Sequence, residues 1–236
     1  EIFLPLFLGL CLIRAAAAFG LPRLRAGQDA EQPPETMTNL KQTLQPWFLL
    51  PLLGWALIYS THLVLNAFQG LLWSQQGLPT NVIGNLIGLG ALAETAMFFG
   101  FRHIAKRVSA LHMILAAALI SVIRWIAMSM EPGVEVLVLL QLLHSVTYAL
   151  GFLACTNFIA DGTSEDMAAQ AQSLLVVLEQ GLAIIVLLAF GWLAGLWGAA
   201  AYLASAGVAG LGGVFVLISM RLKGPRAVAP ASSADD

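Results

Sequence analysis

Charge is what this sequence has least of. Asp, Glu, Lys and Arg make up 10% of its 236 residues and hydrophobic residues 59%, where an ordinary soluble domain carries roughly 25% charge. The 52 residues between Lys41 and Glu94 contain no charged side chain. A water-exposed surface cannot be built from such a stretch, so a soluble domain is excluded and a polytopic helical membrane protein is implied. Cysteine is nearly absent too: Cys11 and Cys155 both lie in apolar runs and read as small buried residues, not as a disulfide. There is no His-Glu-x-x-His, no Gly-x-Ser-x-Gly, no phosphate-binding glycine loop and no Cys/His metal spacing. No cofactor, metal or nucleic-acid partner is therefore expected, and a membrane enzyme would need a site of unfamiliar type.

What is present divides into spans. A bilayer core about 30 Å thick needs roughly 20 apolar residues per helix. Seven segments qualify, at about 2–19, 47–70, 82–102, 109–130, 134–160, 170–193 and 197–220. Pro46 suits a helix start, where its missing N–H is not needed. Gly77, Pro79 and Asn81 break the chain before the third span, and Pro132–Gly133 before the fifth. Residues 21–46 form a polar linker and 223–236 a polar tail expected to be disordered. The first residue is Glu1 and an apolar span follows without a basic leader, so the expectation is a fragment whose N-terminal part lies outside it.

Orientation follows from the basic residues. Of the eleven Lys and Arg, ten fall on one side of the seven-span arrangement: Arg14, Arg23, Arg25, Lys41, Arg102, Lys106, Arg107, Arg221, Lys223 and Arg226. The positive-inside rule makes that side, with the linker and the C-terminus, cytoplasmic. The acidic loop 161–166 falls on the same side; its Thr163-x-x-Asp166 spacing reads as a cap for the sixth span.

The eleventh basic residue is Arg124, the one charge among the 22 residues from Ser109 to Met130. At mid-bilayer an arginine costs about 2.5–3.5 kcal/mol on insertion scales, against about 0.3–0.6 kcal/mol regained per Leu or Ile. Such a charge is a functional candidate once a partner is named. The ionisable inventory at membrane depth is short: Glu94, Arg124, His144 and Glu179. At 1.5 Å per residue, Arg124 lies roughly 10 Å, His144 roughly 13 Å and Glu94 roughly 18 Å from the outer helix ends, within reach of one another. Three readings of Arg124 stand side by side: snorkelling toward Glu131 and the headgroups, a structural pair with Glu94, or a part in coupling and substrate binding. A glutamate poised between desolvation and a nearby cation can load or lose a proton, and a histidine titrates near neutrality. His144 also has the plain reading of a satisfied core histidine.

Polar residues recur at helical spacing. His62, Asn66, Gln69 and Trp73 share one face of the second span; Gln141, His144 or Ser145, Tyr148 and Cys155 one of the fifth; Gln172, Val176 and Glu179 one of the sixth. Such faces look at a cavity or at another helix. Gly84-x-x-x-Gly88, Gly191-x-x-x-Gly195 and the run 207–213 are small-residue packing signals.

Three stretches, "GALAETAMFF" (90–99), "SVIRWI" (121–126) and "LLQLLH" (139–144), carry a family likeness. With a cytoplasmic linker and six spans, the chain resembles the C-terminal half of a major facilitator superfamily transporter preceded by that fold's sixth helix. The likeness is to the phenylpropionic acid transporter-like branch, related to lactose permease and the oligosaccharide–proton symporters. It implies helix six over 1–20, the linker over 21–46, a six-helix transmembrane domain over 47–222 and the tail over 223–236. It also implies roles: Glu94 in substrate binding and coupling, Arg124 in driving a carboxyl group's deprotonation, and His144 in the same hydrogen-bonded site. Two positions depart from the pattern, Thr147 where lactose permease has a proton-carrying glutamate and Gln141 where it has a basic residue. Glu94 or Glu179 is then left to carry a proton. Helices seven and ten line the cavity of that fold and nine supports it, which makes His62, Asn66, Gln69, Gln141, His144 and Tyr148 the cavity-facing candidates.

The expectation is an all-α transmembrane protein working by alternating access. Its function would be proton-coupled symport of a small organic solute (aromatic acid, nucleoside or sugar) across a bacterial inner membrane. An uncoupled facilitator or efflux protein, and a non-transporting membrane sensor on the same scaffold, are the alternatives.

Overall fold

Six long helical rods account for nearly all of the computed structural model, which describes residues 43–222 together with 9, 12 and 13. The chain divides into two units, Glu1–Thr36 and Met37–Asp236, and the six rods belong to the second. Apart from residues 9, 12 and 13, the span expected at 2–19 lies outside the described residues, as do the tail from 223 and the linker up to residue 42. Helix α1 is Pro46–Gln75, α2 Thr80–Ala105 and α3 Ala110–Met128. The fourth rod is α4, Val134–His144, continued by a π-helical turn at Ser145–Leu150 and by α5, Gly151–Gly162. Helix α6 is Glu165–Trp197; a 3₁₀ turn at Gly198–Ala201 leads into α7, Tyr202–Arg221. Five continuous helical stretches are long and apolar enough to cross a membrane, where the sequence suggested six over the same residues. The difference lies in the last, Met167–Arg221: at 55 residues it is about 80 Å long, and it folds as two rods because Gly198, at φ +57, turns the chain between them.

The boundaries follow from local chemistry. Pro46 opens α1 in its first turn. At the other end Gly77, φ +90, closes a Schellman motif in which Leu78 N–H bonds to Trp73 O and Gly77 N–H to Ser74 O. Pro51 lies inside α1 and has no N–H to give the carbonyl of Trp47. The Ser219 hydroxyl of α7 donates to that carbonyl instead, at 2.8 Å. The cap expected of Thr163 is corrected: Ser164 is the N-cap of α6, and the Thr163 hydroxyl turns back to the Ile159 carbonyl at the end of α5.

Helix α1 packs on α6 and α7, α3 on α7 and α5, and α2 on α4 and the π turn. The tightest approach is between glycines. A methyl built at Gly54 would lie 2.7 Å from Gly212 O, and one at Gly212 2.6 Å from Gly54 O. The glycines at 212 and 213 therefore do the close packing read from the sequence, Gly191 touches Phe68, and Gly84, Gly88 and Gly195 face open space. Gly212→Ala forces two backbones apart, and we expect a loss of about 1–3 kcal/mol, the usual cost of overpacking. Thermal unfolding in detergent checks this, with Gly207→Ala, which meets nothing within 4 Å, unchanged beside it.

Gln76, after α1, donates through Nε2 to the carbonyls of Glu131 and Pro132 after α3, at 2.8 and 2.9 Å, so these two loops share one face of the bundle. Between the two faces the interior is layered. One apolar cluster holds Phe48–Ile58 of α1, Met113–Ala118 of α3 and Leu150–Ile159. The other holds Val64–Trp73 of α1, Trp125 and Met128 of α3, and Leu137 and Leu140 of α4. Between them, on helix after helix, the buried residues turn polar: Ser60, Thr61 and His62; Ser121 and Arg124; Gln141, His144 and Thr147; and Glu179 of α6.

Candidate functional site

Arg124 occupies the centre of this polar band and is completely buried. A helical side chain leans toward its own N-terminus, which in α3 means back into the bundle and away from Glu131. The guanidinium accordingly does not reach the helix end. Its Nη2 donates to Gln141 Oε1 at 2.7 Å, and its Nη1 to His144 Nδ1 at 2.9 Å and to Thr147 Oγ1 at 3.3 Å. Its Cζ also lies 5.0 Å from the centre of the Trp125 ring. The snorkelling reading is thereby set aside.

The reading of a direct pair with Glu94 also gives way, to a three-membered line. His144 Nε2 lies 2.6 Å from Glu94 Oε1. Arginine has only donors to offer, so Nδ1 of His144 is the accepting nitrogen and Nε2 carries the ring proton. The line therefore runs from Arg124 N–H into His144 Nδ1, and from His144 Nε2–H into the Glu94 carboxylate. One neutral imidazole joins a buried cation to a carboxylate. The members differ in access: the Glu94 side chain is 25% exposed and that of His144 is 7%, so the carboxylate is the more open end of the line.

The flanking residues hold the line in place. Gln141 donates through Nε2 to the Leu86 carbonyl at 3.0 Å and toward Gln69 Oε1 at 3.5 Å, which fixes its oxygen toward Arg124. Gly90 of α2 lies alongside, where a methyl would come into contact with Gln141 Nε2 at 3.4 Å. The π turn, a common feature of functional sites, starts at the residue after His144 and carries Thr147 and Tyr148. Nothing in the sequence signals it. Thr147 stands where the resemblance leads one to look for a glutamate, and its hydroxyl supplies Arg124 with an acceptor but no proton-holding group.

The other candidates divide. His62 is fully buried, its ring stacked 5.4 Å from that of His144 and edge-on to Trp125 at 5.2 Å. Tyr148 stacks on His144 at 5.5 Å and is half-buried. Asn66 is exposed on α1 and joins none of these contacts. Glu179 is not part of the line. It is buried and accepts from Trp55 Nε1 at 2.8 Å. The face expected for α6 is corrected as well, since its buried stripe runs through Ala171, Leu175, Glu179 and Ala183 while Val176 is exposed.

Trp55 and Tyr59 escape sequence reading, because an aromatic residue in an apolar span carries no mark of its surroundings. Together with Tyr148 they complete a run of rings between the two carboxylates. Trp55 is 6.4 Å from Tyr59, Tyr59 stacks 6.1 Å from Tyr148, and Tyr148 meets His144. Gly151 makes the run possible, since any Cβ there would collide with the Trp55 indole.

With this geometry in view, comparison with known proteins is informative. The model of the MFS_1 like family matches residues 3–208. The chain belongs to that family. Its members are major facilitator transporters of the membrane, not enzymes, and the protein is an integral membrane protein of this branch. It is 29% identical over 134 residues to a protein of Escherichia coli (strain K12) described as a probable 3-phenylpropionic acid transporter. That match covers 56% of this chain and 35% of the relative, so the chain spans well under two thirds of that relative's length.

Proposed function

We propose that the full-length protein is a secondary active transporter that moves a small organic solute together with protons by alternating access. The observation that carries this reading is the Arg124–His144–Glu94 line, buried at one end and partly exposed at the other. A carboxylate at the mouth of such a line takes a proton when it faces water. It gives the proton up when the bundle reorients and the cation behind His144 again favours the charged form. The departure at Thr147 leaves this task to Glu94 or Glu179, and the place of Glu94 on the Arg124 line favours Glu94. Domain limits, cytoplasmic linker and C-terminus, bacterial inner-membrane location and a partner half beyond these residues are part of the same proposal.

The ring run and the relative together favour one of the three solute classes. Tyr59 and Tyr148 are half-buried and offer aromatic faces between Glu179 and Glu94. A flat aromatic solute gains about 0.5–1.5 kcal/mol per ring contact beyond the area it buries, which a sugar without an aromatic ring does not; between an aromatic acid and a nucleoside the likeness to the relative favours the acid. The relative's aromatic acid fits the same description. Uptake by the full-length protein in energised vesicles tests the assignment. Aromatic acids should accumulate, a protonophore should abolish the gradient, and Tyr148→Ala should raise KM about tenfold, in line with one lost ring contact. Accumulation of sugars or nucleosides in their place, or uptake indifferent to the protonophore, would contradict it.

A further inference from the structure

Among the described residues five buried side-chain atoms have no hydrogen-bond partner, His62 Nε2, Ser121 Oγ, Arg124 Nε, Tyr202 OH and Ser205 Oγ, and two of them sit on ionisable residues of the polar band, His62 and Arg124. His62 Nδ1 lies 2.9 Å from the Ile58 carbonyl, and a carbonyl only accepts, so Nδ1 carries the ring proton. Nε2 is then a bare lone pair, and it has no partner. Arg124 has the matching vacancy: its Nε–H is buried and unpaired. Leaving a group in that state costs about 1–3 kcal/mol, and native interiors seldom do so without reason. The two orphans are complementary, one acceptor and one donor, and they border the same indole. Trp125 meets the His62 ring at 5.2 Å and Arg124 Cζ at 5.0 Å. They stay apart because the rigid planar fork of Arg124 is committed to Gln141, His144 and Thr147.

We propose that His62 Nε2 is a second seat for the Arg124 guanidinium, taken when His144 is protonated. His144 accepts from Arg124 only while its Nδ1 is bare. A proton taken from bulk water and bound at Nδ1 forms one N–H bond and gives the ring a positive charge. Its Nε2–H still faces Glu94, but its new Nδ1–H now faces Arg124 Nη1, donor against donor and cation against cation. Arg124 must release that bond, and His62 offers an idle acceptor on the ring stacked against His144. His62 itself stays neutral, with its own proton held on Ile58 O.

The groups facing this pair are Glu94 from α2, His144 and Tyr148 from the fourth rod, and Tyr59 from α1. Tyr202 of α7 also faces Arg124, its ring stacked on Trp125 at 5.8 Å and its buried hydroxyl unpaired, and Glu179 of α6 is tied to Trp55. Neither glutamate contacts His62. The arginine thereby converts a proton gained between α2 and α4 into a changed contact on α1. That role in coupling rests on the proton-symport reading, whereas the second seat does not.

The test is side-chain ¹⁵N spectroscopy of histidine-labelled full-length protein in lipid nanodiscs across pH. His62→Phe and His144→Gln assign the resonances. At high pH His144 should be the Nε2–H tautomer and His62 the Nδ1–H tautomer. As His144 protonates, His62 Nε2 should move to the shift of a hydrogen-bonded acceptor with the same midpoint, and should not move in Arg124→Gln or Arg124→Lys. The proposal is overturned if the His62 Nε2 signal stays put, if it is hydrogen-bonded at every pH (a resident water), or if it still moves without Arg124. A His144 that remains neutral until the protein unfolds overturns it equally. In transport, His62→Phe should keep KM, lower turnover more than tenfold and flatten the pH profile, and His62→Gln, which restores an acceptor, should recover part of both. A positive spectrum without solute accumulation would refute symport and leave the second seat standing.

Discussion

Glu94→Gln should reduce the accumulation of solute to that of a simple carrier, an inside-to-outside ratio near one. With one proton moved per anionic solute, each pH unit across the membrane sustains about tenfold accumulation, the equivalent of 1.36 kcal/mol. The amide keeps the shape of Glu94 and leaves an oxygen to accept from His144 Nε2–H, but it holds neither a charge nor a transferable proton. Exchange of internal for external solute, which needs no net proton movement, should survive. Glu179→Gln is the discriminating companion. Glu179 accepts from Trp55 and stands outside the Arg124 line, so its amide should preserve the gradient within about twofold, well inside one pH unit's worth. If the two variants behaved the other way round, Glu179 would be the proton carrier. Intravesicular and external solute at steady state, corrected against protein-free vesicles, decides between them.

Arg124→Lys should be the most damaging charge-conserving change in the domain. The guanidinium reaches three acceptors on one neighbouring rod: Gln141 Oε1, His144 Nδ1 and Thr147 Oγ1. An ammonium is a single point of donors and cannot span that set. At least one buried acceptor is then orphaned, at about 1–3 kcal/mol each. For a domain of this size each kcal/mol moves Tm by about 2–4 °C, so one orphaned acceptor corresponds to a fall of roughly 2–12 °C in detergent. Turnover should drop about 100-fold, because His144 is no longer held by a fixed donor and its tautomer is no longer set. A lysine variant with unchanged Tm and turnover would show that Arg124 is an accidental charge.

Much of this was open to reading from the sequence for one physical reason. A charge in hydrocarbon is expensive, so Glu94, Arg124, His144 and Glu179 marked themselves by being there at all. Span limits were also legible, because Pro46, Gly77, Pro79 and the Pro132–Gly133 pair act locally. Pairing was not. Depth along a helix follows from counting, but the direction of a side chain depends on which neighbour the helix meets. Hence the order Arg124–His144–Glu94, the enclosure of His62 and the separate Trp55–Glu179 bond appear only in three dimensions. The face of α6 was misjudged for the same reason. Gln172, Val176 and Glu179 suit helical periodicity, as Ala171, Leu175 and Glu179 do, and packing against α1 selects the second set. The π turn is beyond sequence reading altogether, since "SVTYAL" carries neither proline nor glycine to announce it.

The central claim is that solute and proton move together through Glu94. Its most direct test is proton flux into proteoliposomes of the full-length protein when an aromatic acid is added outside. The account predicts protein-dependent alkalinisation of the medium in step with solute entry in the wild type. It predicts no such signal in Glu94→Gln, although that variant still exchanges solute. Solute entry without proton uptake in the wild type, or undiminished proton uptake in Glu94→Gln, would contradict it.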